Sequence, residues 1–276
     1  MNKKIGIIFA LVLVAFLVMG TANAGLFDFL GGDNSGNSTT NDENTFIVGF
    51  DAEFPPYGYK DDSGNYTGFD LDLAKEVCER NNWTFKAQPI DWDAKDAELE
   101  SGSIDCIWNG FTIDGRENDY LWSNPYFDNK QIFVVKSNSG ISSIDDLAGK
   151  TVETQKDSSA LAALEGDNST LASTFGALSQ VADYNTAFMD LESGACDAVA
   201  MDIGVAEYDI NNKDNSDDFS ILDQYITTEK YGIGFKKGND ALKDQVQQTL
   251  DEMFKDGTVA KIAEKYGISE DALIQP

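Results

Sequence analysis

The chain has 276 residues, 42% of them hydrophobic, and carries 20 lysines and arginines against 48 aspartates and glutamates. The formal net charge of −28 argues against a nucleic-acid partner, which needs a basic face, and against docking on an anionic membrane surface. The length suits one large domain or two modest domains with a sizeable core.

The N-terminal 44 residues predict export followed by a flexible connection. Lys3 and Lys4 precede an apolar run over residues 5–19, and Ala22-Asn23-Ala24 forms a small-residue cleavage site. We expect residues 1–24 to be a signal peptide or, if retained, an N-terminal anchor. Residues 31–44 are rich in Asn, Ser, Thr and Gly, so we expect residues 25–44 to form a tether. The remainder of the chain is expected outside the cytoplasm.

The three cysteines do not stand in any metal-ligand spacing. Cys78, Cys106 and Cys196 are too few for a complete disulfide framework, so at least one must be free. We expect all three to be small buried hydrophobic residues, and a Cys78–Cys106 bridge is kept as an alternative. Four Asn-X-Ser/Thr patterns, at Asn37, Asn65, Asn82 and Asn168, leave glycosylation open.

The next segment predicts a β-α-β unit. Residues 46–50 form a short apolar run typical of a strand, and the polar cluster at 61–65 marks a turn. Apolar residues then recur at helical spacing from Phe69 to Cys78, and residues 85–90 predict the next strand.

An internal echo indicates that this arrangement occurs twice. Residues 99–105 (Leu-Glu-Ser-Gly-Ser-Ile-Asp) match residues 191–197 (Leu-Glu-Ser-Gly-Ala-Cys-Asp), and an apolar run follows each. In both copies we expect a helix that ends at Ser-Gly and a buried strand after the Asp. Parallel α/β sheets bind ligands beyond the carboxyl ends of their strands, so the echo predicts two facing half-sites.

Two further apolar segments, residues 131–135 and 231–235, lie on either side of the second copy. We expect them to be strands that cross between two lobes. Residues 242–266 have amphipathic helical character with a break at Gly257, and we expect these helices to pack on the first lobe.

One of only two arginines follows the first predicted half-site. Arg116 comes after the Gly/Thr turn 110–112, whose backbone N–H groups suit an anion, and a guanidinium is well matched to a carboxylate. The equivalent strand end of the second copy carries Asp202. Two alternatives remain open: Arg116 as a surface ion pair, and Asp202 as a helix N-cap.

Several motifs, in order, resemble those of the extracytoplasmic solute-binding proteins of polar amino-acid ABC transporters (bacterial solute-binding protein family 3). The resemblance covers roughly residues 46–270 and rests on Val48-Gly49-Phe50-Asp51-Ala52-Glu53-Phe54-Pro55-Pro56-Tyr57, Gly68-Phe69-Asp70-Leu71-Asp72-Leu73-Ala74, Gly110-Phe111-Thr112 with Arg116, Ser123-Asn124-Pro125-Tyr126, and Tyr231-Gly232-Ile233-Gly234-Phe235. It implies an α/β fold of the type II periplasmic-binding kind, with two doubly wound lobes joined by two crossover strands. We expect lobe 1 to comprise residues 45–132 plus 233–276, and lobe 2 residues 133–232.

The resemblance also implies a binding site for a free α-amino acid. A zwitterion taken out of water needs a partner for each charge, and Arg116 and Asp202 fit the carboxylate and the ammonium. The other residues that the resemblance implies are the backbone of Gly110 and Thr112 with the Thr112 hydroxyl, the Ser159 amide, the aromatic side chains of Phe54 and Trp92, and the polar side chains of Asp51 and Asn109. The loop before Arg116 is one residue shorter than is usual in the family, and we expect Gly115 to absorb the tighter turn.

A binding protein that delivers an amino acid to an ABC permease and its ATPase is the function predicted. We expect a monomer without a cofactor, metal or catalytic residue, and a ligand with a polar neutral or cationic side chain, since Asp51 disfavours an acidic one. One alternative is a carboxylate lyase or dehydratase on the same scaffold, with Glu53 or Asp51 as its acid. The other is a ligand-sensing ectodomain.

Overall fold

A computed structural model describes residues 44–276. The predicted signal peptide or anchor, the tether up to residue 43 and the Asn37 pattern lie outside the described residues. In the described part the strands are β1 (Thr45–Phe50), β2 (Glu53–Phe54), β3 (Gly58–Lys60), β4 (Tyr66–Thr67), β5 (Thr84–Pro89), β6 (Cys106–Ile107), β7 (Leu121–Trp122), β8 (Phe127–Lys136), β9 (Thr151–Gln155), β10 (Ala177–Val181), β11 (Ala198–Asp202), β12 (Phe219–Ile221), β13 (Thr227–Tyr231) and β14 (Gly234–Phe235). The helices are α1 (Phe69–Asn81), α2 (Lys95–Ser101), α3 (Ser159–Glu165), α4 (Ser169–Ala172), α5 (Tyr184–Ser193), α6 (Ile203–Asn211), α7 (Asp240–Lys255) and α8 (Thr258–Lys265).

Two larger sheets organise these elements. The first sheet has the strand order β5-β1-β6-β14-β7, and the second has the order β10-β9-β11-β8-β12, with β13 also paired to β8. The first β-α-β unit forms as predicted, because β1 is parallel to both β5 and β6. In the second sheet β9 is parallel to β10 and β11, which repeats that pattern. A small three-stranded sheet, β2-β3-β4, follows β1.

The two copies of the sequence echo have the same local structure. Helices α2 and α5 both end at a glycine in the left-handed conformation, Gly102 (φ 78°) and Gly194 (φ 83°). Three residues later, the Asp105 carboxylate accepts the backbone N–H of Ile47 (2.7 Å), and the Asp197 carboxylate accepts that of Thr151 (2.8 Å). Each aspartate thus fixes the start of the neighbouring parallel strand, and the predicted repeat is confirmed at this level.

The chain passes between the sheets twice, between β7 and β8 and between β13 and β14. The prediction of one continuous strand over residues 231–235 is wrong. Tyr231 ends β13 in the second sheet, and β14 begins at Gly234 in the first. The Gly232 backbone N–H donates a hydrogen bond to the Phe111 carbonyl, and a Cβ on Gly232 would lie 2.7 Å from the Ile113 side chain. A larger residue would therefore disturb the crossing.

The C-terminal helices pack where the amphipathic pattern predicts. Both α7 and α8 lie against α1, which packs on the first sheet, and Gly257 separates them with φ 78°. Cys78, Cys106 and Cys196 are all buried and free, so the alternative of a Cys78–Cys106 bridge is wrong. The lobe boundaries after residues 132 and 232 stay a prediction.

Candidate functional site

A small cavity lies where residues of the two larger sheets meet. All nine residues predicted from the sequence line it: Asp51, Phe54, Trp92, Asn109, Gly110, Thr112, Arg116, Ser159 and Asp202. Gln155, Ser158 and Tyr184 also line it and were not predicted.

The strand ends explain this convergence. Asp51 follows β1 and Asn109 closely follows β6 in the first sheet, whereas Gln155 ends β9 and Asp202 ends β11 in the second. These are the carboxyl ends of parallel strands, where side chains of successive β-α units meet. The two half-sites predicted from the echo therefore share one cavity.

The Asn109–Thr112 loop is held from behind by a buried carboxylate. Asp70 accepts the backbone N–H of Gly110 (2.6 Å) and the hydroxyl of Tyr126 (2.8 Å). Burial raises the pKa of Asp70 to about 7, although these hydrogen bonds act in the opposite direction. Gly110 has φ 54°, and a Cβ there would lie 2.7 Å from the Phe54 ring. Glycine thus lets the loop pass close to an aromatic wall of the cavity.

Arg116 extends from the first half-site to the second. Gly115 (φ 82°) closes a turn in which the Arg116 N–H donates to the Ile113 carbonyl (2.8 Å), as the short loop predicted. The guanidinium donates from Nη1 to the Thr112 carbonyl (3.4 Å) and from Nη2 to the Asp157 carbonyl (3.0 Å). Within residues 44–276 it forms no ion pair, so the alternative of a surface ion pair is wrong.

Asp202 is a buried acid between β11 and α6. It occupies the N-cap position of α6, yet its side chain forms no capping hydrogen bond and instead accepts Nε2 of Gln131. The alternative interpretation of Asp202 as a helix N-cap is therefore right about its position, but the side chain does not form the capping hydrogen bond. Burial, together with the nearby charge of Glu229, raises the pKa of Asp202 well above its ordinary value. A cation placed beside Asp202 would relieve that cost.

Glu229 is the main functional candidate that the sequence analysis missed. It is only 4% exposed, and its Oε1 accepts hydrogen bonds from Thr112 Oγ1 (3.0 Å), Asn129 Nδ2 (2.8 Å), Gln131 Nε2 (2.8 Å) and Ser159 Oγ (3.2 Å). A signal for it exists in the sequence. Glu229 stands two residues before Tyr231, and alternate residues of a strand share a face. The buried face of β13 therefore carries an acid.

Another part of the cavity wall combines an acid, Asp51, with the aromatic rings of Phe54 and Tyr184. Asp51 is 7% exposed, and its carboxylate accepts the backbone N–H of Glu53 (2.9 Å) and Nε2 of Gln155. Burial raises the pKa of Asp51 to about 6. The rings of Phe54 and Tyr184 have centroids 6.0 Å apart.

Trp92 is both a cavity wall and a core residue. It contacts the Phe111 ring edge-on at 5.4 Å between centroids and belongs to a buried hydrophobic cluster. Two polar groups on the walls, Asn109 Nδ2 and the Tyr184 hydroxyl, are buried without a hydrogen-bond partner among the described residues.

An ion pair joins the two sides of the cavity next to Trp92. Lys95 on α2 is buried and contacts the carboxylate of Asp157, which follows β9. Burial lowers the pKa of Lys95, and the Asp157 partner acts against this shift. Together with the Arg116 bond to the Asp157 carbonyl, this pair links the first half-site to the second.

Among residues 44–276 no group of three or more acidic, cysteine or histidine side chains is arranged to hold a metal ion. In the same range no helix has the length and apolar composition needed to span a membrane. The fold and the cavity define a protein with a small, largely polar binding cavity between two α/β units.

A family model for bacterial extracellular solute-binding proteins, family 3, matches residues 46–269, and the chain belongs to this family. The probable histidine-binding protein of Neisseria gonorrhoeae is 32% identical over 248 residues, which cover 87% of this chain and 89% of that protein.

Solved structures of similar sequence have a similar fold. An ABC uptake transporter substrate-binding protein from Streptococcus pneumoniae with bound histidine has a TM-score of 0.80 at 33% identity, over 84% of this chain and 95% of that chain. An ancestral arginine-binding protein bound to glutamine has a TM-score of 0.74 at 36% identity, over 81% of this chain and 97% of that chain. The predicted α/β fold of the type II periplasmic-binding kind is confirmed.

Proposed function

We propose that this protein captures a free polar amino acid in the cavity and delivers it to an ABC permease. The observation that carries the proposal is the presence of Arg116 and Asp202 on the walls of one cavity. A free amino acid carries one carboxylate and one ammonium. Enclosing it therefore requires a cation and an anion in the same space.

The local hydrogen bonding supports the assignment of each charge. The Arg116 guanidinium has five N–H donors, and two bind backbone carbonyls, so donors remain for a carboxylate. The buried Asp202 has only a glutamine donor as its side-chain partner among the described residues, so it is suited to an ammonium. We propose that the Gly110 and Thr112 backbone, the Thr112 hydroxyl and the Ser159 amide complete the site.

The balance of charge in and behind the cavity favours a cationic side chain. Among the described residues, four buried acids, Asp51, Asp70, Asp202 and Glu229, line or back the cavity and stand against the cation Arg116, while Lys95 is paired with Asp157. Asp51 lies with Phe54 and Trp92 among the lining residues, and aromatic faces attract cations by about 0.5–2 kcal/mol. We therefore propose L-arginine as the first candidate, with histidine and the polar neutral amino acids as further ones.

Release to a permease requires the cavity to open. We propose that residues 45–132 with 233–276 form one lobe and residues 133–232 the other, and that the monomer opens and closes about the two connections between the sheets. Contacts between the proposed lobes at the cavity, such as those of Lys95 with Asp157, Arg116 with the Asp157 carbonyl and Gln155 with Asp51, would form on closure. We also propose export by the N-terminal signal and function outside the cytoplasm, without catalysis.

A thermal-shift screen of the free amino acids tests the proposal, since a ligand that binds only the folded state raises the melting temperature. Arg116→Ala should abolish the shift. Arg80→Ala is the matched control, because the other arginine lies on α1 and pairs with Glu76 and Asp256 (both 2.8 Å). If no amino acid stabilises the wild type, or if both variants respond alike, the proposal is wrong. Turnover of an amino acid or a prephenate-like acid would favour the enzyme alternative.

A further inference from the structure

Glu229 lies outside the cavity walls but contacts residues on both sides of the site. It belongs to β13, which connects back toward the first sheet, and pairs in register with Asn129 of β8. Thr112 reaches Glu229 from the first half-site, and Ser159 reaches it from the start of α3 in the second. One buried carboxylate oxygen therefore binds a hydroxyl from each side.

These bonds fix the direction of both hydroxyl groups. A hydroxyl has one proton to donate and two lone pairs that accept. Because Thr112 donates its proton to Glu229 at 3.0 Å, its oxygen offers only lone pairs to the cavity. Ser159 Oγ also donates to Glu229 (3.2 Å). Neither hydroxyl has a proton left for an anion.

We propose that Glu229 is a positioning residue that sets the orientation of the bound amino acid, an inference that rests on the proposed function. Acceptor-only oxygens at Thr112 and Ser159, beside Asp202, form a region that attracts an ammonium group and repels a carboxylate. The carboxylate is thereby directed to Arg116 and to the Ser159 backbone N–H. Without Glu229, either hydroxyl is free to donate into the cavity, and the distinction between the two ends of the ligand weakens.

The test uses Glu229→Gln, which keeps the size of the side chain but adds an N–H donor and removes the charge. The probes are L-arginine and its des-amino analogue 5-guanidinopentanoate, measured by calorimetry and by displacement. If the screen selects histidine instead, the pair is L-histidine and imidazolepropionate. Glu229→Gln should weaken binding of the amino acid at least tenfold and change binding of the des-amino acid at most twofold. Equal weakening of both probes would mean a merely structural role and would overturn the inference.

A double-mutant cycle with Thr112→Val supplies a second readout. In the wild-type background the loss of the hydroxyl should weaken amino-acid binding about tenfold, and Thr112→Ser should restore it. In the Glu229→Gln background the same Thr112→Val change should cost less than twofold. Independent effects of the two changes would overturn the inference.

Glu153→Gln is the control for removal of a buried acid, because Glu153 lies on β9 of the second sheet and does not line the cavity. It should leave the preference between the two probes unchanged. If the wild type binds no free amino acid, the proposed function itself fails. If the wild type binds one and Glu229→Gln behaves like Glu153→Gln, only the inference about Glu229 fails.

Discussion

Replacing Asp51 with asparagine removes a negative charge from the cavity while nearly preserving the size of the side chain. Burial, with smaller effects of the charges of Asp183 and Glu53, raises the pKa of Asp51 to about 6, although hydrogen bonds from Glu53 and Gln155 act in the opposite direction. A cationic ligand side chain binds best when Asp51 is ionised. Asp51→Asn should therefore weaken arginine binding at least tenfold at pH 7 and have little effect on glutamine.

The size of the pH effect follows from the pKa of about 6 in the ligand-free protein. Asp51 is about nine-tenths ionised at pH 7 and about one-tenth ionised at pH 5. Arginine affinity should therefore fall about tenfold between these pH values, equivalent to about 1.4 kcal/mol. In the proposed site Asp202 faces the α-ammonium, which arginine and glutamine share, so its titration affects both affinities alike. The ratio of the two affinities consequently isolates Asp51.

Calorimetry with both amino acids at pH 5, 6, 7 and 8 measures this ratio for the wild type and for Asp51→Asn. A ratio that does not change with pH in the wild type, or that changes equally in the variant, would refute the reasoning. Stability gives an independent check. The folded pKa lies above the ordinary value of 3.8, so the ionised Asp51 destabilises the ligand-free protein above about pH 6, and this cost disappears as the pH falls toward 4. At pH 7, Asp51→Asn should increase the free energy of unfolding by at most about 3 kcal/mol, which raises the melting temperature. At pH 4 it should not.

Three further changes test the rest of the site. Asp202→Ala should weaken binding of every amino acid by about 3–5 kcal/mol, because it leaves the ligand ammonium buried without its partner; near-normal calorimetric affinity would contradict this. Lys95→Met keeps the packing but breaks the ion pair with Asp157. Stopped-flow fluorescence should therefore show that the amino acid dissociates about fivefold faster, with little change in its association rate. An unchanged dissociation rate would mean that the ion pair does not hold the closed form. Gly115→Ala should lower stability by about 1–2 kcal/mol, since φ is 82°, and should also weaken binding by displacing Arg116. Gly102→Ala is its control, with φ 78° and nothing within 4 Å of the added Cβ at either glycine; equal effects on affinity in both variants would argue against a special role for the Gly115 turn.

Local patterns in the sequence were sufficient for most of the fold. The repeat of Ser-Gly followed by Asp appears within seven residues, and both copies form the same helix end and strand start. Such features depend on glycine conformation and on apolar spacing, which short segments carry by themselves. The sequence predicted that residues 231–235 cross between the lobes but not that the strand is interrupted there, because an apolar run gives no sign of where pairing changes from one sheet to the other.

The sequence by itself predicted the two echoing units and the half-sites with Arg116 and Asp202, and the resemblance to the family implied the other seven of the nine predicted residues that line the cavity. Only the tertiary structure revealed Glu229, Gln155 and the Lys95–Asp157 pair. Glu229 and Thr112 are 117 positions apart in the chain, and Lys95 and Asp157 are 62 apart. No local pattern encodes such contacts. They exist because the chain crosses twice between two sheets and brings their strand ends together around one buried space.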